Sequence, residues 1–255
     1  MASSLVLNTG CLEYMKSLPD NYFDLAVADP PYGDGSSQTV NVERERERRS
    51  KQPLRFHGGD RWNKYLPNNE GGVAREGQVS PRLVERTGGQ WAAKYGKKII
   101  AWDVAPEKEY FDELFRVSRN QVIWGGNYFD LPPTRCFLVW RKTNIPLEGF
   151  TMAPIEYAWT SFNRNAMMFE HTSQGKPSEP RIHVCQKPVE LYVWIYKNFA
   201  KQGDKIFDPY LGSGSSRIAA YDMGLDFVGC EIDEVYFKLQ EERFEQYTAQ
   251  TSLFT

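Results

Sequence analysis

The sequence predicts a doubly wound α/β fold with a mostly parallel central sheet. Short apolar runs typical of buried strands alternate along the chain with segments whose apolar residues recur at helical spacing. The clearest stretch lies near the C-terminus, where a strand at 205–208, a helix at 215–223 and a strand at 227–231 follow one another. Alternation of this kind places parallel strands side by side and packs the connecting helices on both faces of the sheet.

The remaining elements follow from the same two periodicities, alternating or continuous apolar runs for strands and a spacing of three to four for helices. The predicted strands are 5–7, 24–28, 121–124, 136–140 and 155–159, and the predicted helices are 11–18, 107–117, 188–199 and 234–247. Pro188 supports the start of its helix, because a proline at the first helical position gives up an N–H that has no partner there. Gly224 is a natural end for helix 215–223.

Residues 35–98 interrupt this pattern and differ from the rest of the chain in composition. They contain nine of the 20 glycines and carry 14 basic against seven acidic residues, a net charge of +7, whereas the remaining residues carry −9. We therefore divide the chain into a main domain, residues 1–34 and 99–255, and a basic insert, residues 35–98. Concentrated positive charge on an acidic body is typical of nucleic-acid contact, although a solvated helix explains the mixed-charge run 43–49 equally well. The candidate DNA-binding residues of the insert are Arg44, Arg46, Arg48, Arg49, Arg55 and Arg61.

Composition and cysteine usage exclude several classes of protein. The chain has no uninterrupted apolar run of about 18 residues, which predicts that nothing spans a membrane. Its first residues lack the basic and apolar stretches of a signal peptide, so we expect a cytoplasmic protein. The cysteines are widely spaced, which predicts reduced, packed side chains and neither a metal site nor disulfide bonds. They are Cys11, Cys136, Cys185 and Cys230.

The strand, turn and helix that begin at residue 205 have the form of an adenosine-binding unit. The turn reads Asp-Pro-Tyr-Leu-Gly-Ser-Gly, and its glycines allow backbone N–H groups to approach a ligand at the helix N-terminus. An acidic residue at the end of the first strand repels a pyrophosphate, and it suits a ligand ammonium group. Glu231 ends the next strand, where a carboxylate can bind two ribose hydroxyls. The candidate cofactor-binding residues of this unit are Asp208, Pro209, Tyr210, Gly212, Ser213, Gly214 and Glu231.

A second motif, Asp-Pro-Pro-Tyr, follows the predicted strand 24–28, at the edge where open α/β sheets bind ligands. It suits reaction at the exocyclic amine of a nucleobase, whose lone pair is delocalised into the ring and is therefore a weak nucleophile. The Asp29 carboxylate can accept one amine N–H, and the carbonyl of Pro30, whose direction the two prolines fix, can accept the other. Tyr32 can stack on a base that has left the duplex. The candidate catalytic residues are Asp29, Pro30, Pro31 and Tyr32.

Together these motifs resemble the DNA amino-methyltransferases, which act on adenine N6 or cytosine N4. The similar segments are 8–32, 121–128, 156–162, 181–188 and 208–214. The catalytic motif precedes the cofactor motif, which is the permuted order of one large group of adenine enzymes. The resemblance implies a Rossmann-like methyltransferase sheet and S-adenosylmethionine as cofactor, with Gln186 and Lys187 at its methionine end. It also implies double-stranded DNA as partner and N6 of a flipped adenine as target.

Several alternatives fit part of this pattern. Cytosine-N4 enzymes share the scaffold but more often carry serine at the position of Asp29, and protein-glutamine methyltransferases typically carry asparagine there. An inactive DNA-binding module would not need an intact catalytic motif. A nicotinamide-dependent dehydrogenase fits the glycine turn but not its acidic first residue.

The resemblance also indicates partners and a recognition segment to test for. Enzymes with this motif order are often dimers, so a homodimer is a candidate assembly. A cognate restriction endonuclease is a further candidate partner. The basic insert is the first candidate for reading the DNA sequence, and residues 162–182 are the second.

Overall fold

The computed structural model describes residues 2–32, 104–147, 153–173, 181–183 and 185–252. Contacts join Met1–Tyr32 and Val104–Thr255 into one compact unit. The basic insert, with all six of its candidate arginines, lies outside the described residues.

Within the described ranges, eight strands form a single sheet, and five α-helices and one 3₁₀ turn, Gly126–Tyr128, accompany it. The strands are β1 (Ser4–Leu7), β2 (Phe23–Ala28), β3 (Ser118–Trp124), β4 (Phe137–Lys142), β5 (Ile155–Thr160), β6 (Met167–His171), β7 (Lys205–Asp208) and β8 (Asp226–Cys230). The helices are α1 (Cys11–Lys16), α2 (Lys108–Val117), α3 (Val189–Phe199), α4 (Ser215–Asp222) and α5 (Glu234–Ser252).

The strand order is β1-β8-β7-β2-β3-β5-β4-β6. Only β5 runs antiparallel to its neighbours, β3 and β4, among the strands of the described residues. This confirms the predicted doubly wound, mostly parallel sheet. From β7 the chain continues through α4 to β8 on one side, whereas β2 is followed along the sheet by β3 on the other. The carboxyl ends of β7 and β2 therefore flank a topological switch point, where open sheets bind ligands.

Helices cover both faces of the sheet, and each face has its own apolar cluster. One cluster packs α3 and α4, including Leu191 and Ala219, against strand residues such as Leu25 and Trp124. The other packs α1 and α2 against the opposite face and contains Met15. The apolar spacing that predicted these helices is thus the spacing of their buried sides.

The structure differs from the sequence prediction in a few places. β6 was not predicted, because its residues alternate between half-buried and exposed and the strand lies at the edge of the sheet. β3 begins three residues before the predicted strand, with a polar stretch that follows α2 directly. Cys185 is exposed, so the prediction that all four cysteines are packed was wrong for that residue. None of the helices in the described ranges is long and apolar enough to cross a membrane.

Candidate active site

The carboxyl end of β2 presents the Asp-Pro-Pro-Tyr motif. The last four residues of β2 are buried, and Asp29 follows directly with a half-buried side chain. Because β2 pairs in parallel with β7, the motif lies beside the strand end that carries Asp208. The sheet therefore brings the predicted catalytic and cofactor-binding segments to one crevice.

Both oxygens of the Asp29 carboxylate accept hydrogen bonds. Oδ1 accepts from the Tyr32 hydroxyl at 2.9 Å, and Oδ2 accepts from the Lys187 ammonium at 2.5 Å. The resemblance placed Lys187 at the methionine end of the cofactor, whereas the structure places its buried ammonium on the catalytic motif. Lys187 therefore occupies one carboxylate oxygen, and the Tyr32 hydroxyl occupies the other.

Tyr32 is held by close packing at the start of the 3₁₀ turn. Its ring stacks on Tyr128, with centroids 4.8 Å apart and planes 13° from parallel. Gly125 has a φ of 66°, and a Cβ there would lie 2.2 Å from the Tyr32 ring. Burial, reinforced by the negative charge of Asp29, raises the pKa of the Tyr32 hydroxyl well above its ordinary value. The hydroxyl is therefore a permanent donor toward Asp29.

Lys187 also contacts a carboxylate on the antiparallel strand β5. Its Nζ lies 3.3 Å from Oε2 of Glu156, and Oε1 of Glu156 pairs with the Lys142 ammonium at 2.6 Å. Sequence reasoning missed Glu156 and Lys142. The signal that could have found them was a glutamate inside an otherwise apolar strand segment, because an acid there is expensive unless it is paired.

Asp208 ends β7 with a carboxylate that is only 2% exposed. Oδ1 accepts a hydrogen bond from the backbone N–H of Tyr210 at 3.0 Å, and Oδ2 accepts from the Ser216 hydroxyl. Burial raises the pKa of Asp208 to about 7, although both hydrogen bonds lower it. No lysine or arginine in the described residues forms an ion pair with this carboxylate. Such a group fits a ligand ammonium.

The turn after β7 is shaped by two glycines and braced by Glu231. Gly212 and Gly214 have φ values of 52° and 73°, a region that glycine adopts readily. The Glu231 carboxylate accepts the backbone N–H of Gly212 through Oε2 and that of Asp233 through Oε1, both at 2.8 Å. Each of its oxygens keeps a second lone pair, so Glu231 can still accept ribose hydroxyls.

The other predicted cofactor residues line or support the same crevice. Tyr210 is half-buried and packs against Tyr110 with ring centroids 5.4 Å apart. Pro209 and Ser213 are buried in the turn, and the Ser213 carbonyl accepts a hydrogen bond from Arg243 at 2.6 Å. Gln186 accepts the backbone N–H of Ile182 at 3.0 Å, which fixes the segment that carries Lys187.

The family of the chain is decided by a match that covers more than half of it. A family model described as DNA methylase, of the N6/N4 methyltransferase type, matches residues 90–242. The chain belongs to this DNA methylase family.

Individual relatives agree with this assignment. The type II methyltransferase M.HinfI of Haemophilus influenzae is 23% identical over 279 residues, covering 94% of this chain and 68% of that protein. The type II methyltransferase M2.MboI of Moraxella bovis is 23% identical over 256 residues, covering 93% and 86%. Among solved structures, the cytosine-N4-specific PvuII DNA methyltransferase superposes with a TM-score of 0.52 at 11% identity, covering 97% of this chain and 92% of that one. At that identity the superposition shows the fold alone.

S-adenosylmethionine is the cofactor of this methylase. The residues present fit it, because Asp208 is a buried acid without a described cationic partner and the cofactor carries an α-ammonium group. Glu231 follows the neighbouring strand β8, and its carboxylate accepts the backbone N–H of Gly212 in the glycine turn.

Proposed function

We propose that this methylase transfers a methyl group to the N6 amine of an adenine flipped out of double-stranded DNA. The observation that carries the proposal is the Asp29 carboxylate at the end of β2, bonded by Lys187 on one oxygen and by a displaceable Tyr32 hydroxyl on the other. When bound, S-adenosylmethionine supplies an electrophilic methyl group on a sulfonium centre.

The catalytic motif makes the amine more nucleophilic. An amine N–H takes the place of the Tyr32 hydroxyl on Asp29 Oδ1, and the Pro30 carbonyl accepts the second N–H. Held this way, the nitrogen becomes more tetrahedral and its lone pair is less delocalised into the ring. As the amine becomes cationic, the Asp29 carboxylate stabilises the developing positive charge. The electron pair of the broken C–S bond stays on sulfur as a neutral thioether, and the methylated amine then loses one proton to water.

Aromatic rings beside the motif provide the place for the base. Tyr32 and Tyr128 already stack on one another, and Tyr128 is 47% exposed. A flipped base can stack on this pair because every base presents a π face. Asp208, the glycine turn and Glu231 hold the cofactor beside it, which aligns the methyl group with the amine.

The identity of the target base is tested by the products. Purified protein is incubated with S-adenosylmethionine and DNA from a host that lacks base methylation, and the digested nucleosides are measured by mass spectrometry. We expect N6-methyldeoxyadenosine. Formation of N4-methyldeoxycytidine would contradict the proposal, and cofactor binding without either product would favour an inactive DNA-binding module.

We further propose that the basic insert contributes the DNA contacts and that the methylase acts as a homodimer. The insert proposal depends on its net charge of +7 and its position in sequence directly after the catalytic motif. The homodimer proposal depends on the permuted motif order, and the proposed cognate restriction endonuclease depends on the resemblance to the DNA amino-methyltransferases. Sedimentation of the purified protein with and without DNA tests the dimer.

A further inference from the structure

Four charged side chains of alternating sign lead away from the catalytic motif, and we call them the charge chain: Asp29, Lys187, Glu156 and Lys142. Lys187 Nζ lies 2.5 Å from Asp29 Oδ2 and 3.3 Å from Glu156 Oε2. Lys142 Nζ lies 2.6 Å from Glu156 Oε1. The charge chain connects β2, the segment before α3, β5 and β4.

The charge chain is largely withdrawn from water. The side chains of Lys187 and Lys142 are 5% and 9% exposed, and those of Asp29 and Glu156 are 16% and 24% exposed. Burial raises the pKa of Glu156, but the two lysines outweigh burial and the pKa is lowered, so Glu156 stays anionic. Buried ion pairs of this kind are weak sources of stability, since apolar side chains of the same size often stabilise a protein as well or better. Stability alone therefore does not explain the charge chain, and the arrangement points to a role in function.

The reason lies in what Lys187 does to Asp29. A single ammonium at 2.5 Å compensates the charge of the carboxylate that has to oppose a developing cation. Glu156 adds a second carboxylate beside Lys187. Asp29, Lys187 and Glu156 together therefore carry a net charge of −1. Lys142 contacts only the far side of Glu156 and is the most distant charge from Asp29 along the charge chain.

Glu156 also limits where the ammonium can go. Glu156 Oε2 is buried and forms no hydrogen bond, although it lies within ion-pair distance of Lys187. Lys187 Nζ is therefore held between Glu156 Oε2 and Asp29 Oδ2. The ammonium is thereby kept on Oδ2, and Oδ1 stays accessible to the amine.

We propose that Glu156 is a positioning residue for methyl transfer, which acts through Lys187 to keep Asp29 negatively charged in effect and open at Oδ1. The inference rests on the proposed role of Asp29. It assigns to β5 a function in the chemical step and none in binding the cofactor or DNA.

The test compares Glu156→Gln with Glu242→Gln, which removes the same charge from an exposed position on helix α5. Cofactor affinity is measured by calorimetry, and the single-turnover rate of labelled methyl transfer to DNA is measured at saturating DNA and cofactor. We expect Glu156→Gln to slow the chemical step by about 10- to 100-fold, the range typical when an outer-shell partner of a metal ligand is removed. Cofactor affinity and the DNA concentration for half-saturation should match those of Glu242→Gln. A normal rate, or an equal loss of rate and affinity, would overturn the proposal.

A double variant covers the case in which Glu156→Gln fails to fold because Lys142 is left buried without its partner. Lys142→Met combined with Glu156→Gln removes both charges and should fold, yet the chemical step should remain slow because Lys187 has lost its second carboxylate. A wild-type rate in this folded double variant would overturn the proposal. Asp29→Ala, measured in parallel, distinguishes failure of the proposed function from failure of the proposed role of Glu156. Activity in Asp29→Ala contradicts the proposed function, whereas an inactive Asp29→Ala beside a fully active Glu156→Gln contradicts only the role of Glu156.

Discussion

At the residue scale, Asp208 makes the protein sensitive to pH. Its pKa rises from an ordinary 3.8 to about 7 in the folded protein, because burial disfavours the anion. The folded state then holds more protons than the unfolded state between these two values, so stability should fall as pH rises from about 4 to about 7. Burial also raises the pKa of Glu231, which acts in the same direction. Urea unfolding of the cofactor-free protein measures this slope, and Asp208→Asn should flatten it.

From the raised pKa of Asp208 we also predict that cofactor binding releases a proton. A ligand ammonium favours the anionic form of Asp208, so affinity should weaken as pH falls below about 7. Calorimetry in two buffers with different ionisation enthalpies counts the released protons. Proton release that persists unchanged in Asp208→Asn would assign it to another group.

The Glu231 carboxylate braces the glycine turn and is also the proposed ribose ligand. Its removal should therefore weaken cofactor binding. Glu231→Ala removes the acceptors of two backbone N–H groups. We expect cofactor binding to weaken by roughly 1–3 kcal/mol, the usual cost of losing hydrogen bonds to a charged group. Glu234→Ala, an exposed glutamate three residues away, is the matched control for calorimetry. Equal affinities in the two variants would place the ribose elsewhere.

Sequence reasoning at this scale found the residues at strand ends but not their partners. Asp29 and Glu231 could be predicted, because each follows an apolar strand and chemistry concentrates at that edge of the sheet. The hydrogen bond between Lys187 and Asp29 joins residues 158 positions apart. Its existence depends on how the segment before α3 packs over the sheet, and no local pattern encodes that. Glu156 carries a local signal, an acid within an otherwise apolar strand segment, but that signal does not identify its partners Lys187 and Lys142.

At the scale of elements, the turn between β3 and the 3₁₀ turn controls the position of Tyr32. Gly125→Ala combines a positive φ with a Cβ only 2.2 Å from the Tyr32 ring. Gly203→Ala is the matched control, because Gly203 also has a positive φ, 88°, but has nothing within 4 Å of its added Cβ. The control should cost only the backbone strain, about 1–2 kcal/mol. Gly125→Ala should cost more in urea unfolding and should lose methyl transfer, because Tyr32 is displaced. Equal effects in the two variants would contradict the packing argument.

The elements themselves were largely predictable from periodicity. Strand β2 was found because it contains the continuous buried apolar run 25–28. Strands β7 and β8 contain shorter apolar runs and were found because the glycine turn and the helix between them mark a strand-helix-strand unit. β6 was not found, since an edge strand with alternate exposed residues does not differ in pattern from a loop. β6 occupies part of the segment 162–182 that we named as the second candidate for reading DNA, and this role stays a prediction.

At the scale of the whole molecule, the charge distribution separates DNA binding from cofactor binding. The insert carries +7 and the rest of the chain −9. Replacing Arg44, Arg46, Arg48 and Arg49 by alanine should weaken DNA binding and reduce its salt dependence, by up to about 0.9 in slope for each phosphate group that the protein no longer neutralises. Cofactor affinity should not change, because the proposed cofactor site is built from the described C-terminal residues.

A matched control removes four basic residues from exposed positions of the main domain, namely Lys108, Arg119, Lys201 and Lys238. DNA binding is titrated at several salt concentrations for both variants. If the two fourfold variants show the same decrease in affinity, net charge alone explains the effect. If the insert variant binds like the wild type, the mixed-charge run is a solvated segment and recognition lies elsewhere.

We propose that Asp29 directs methyl transfer to adenine N6 at a defined DNA sequence. Base-resolved mapping of modified bases tests it most directly, in DNA from a methylation-deficient bacterial host that expresses either the wild-type chain or Asp29→Ala. We predict N6-methyladenine at one recurring sequence with the wild type and none with Asp29→Ala, although the variant should still bind S-adenosylmethionine. N4-methylcytosine in the wild-type sample, or N6-methyladenine that persists with Asp29→Ala, would contradict the account.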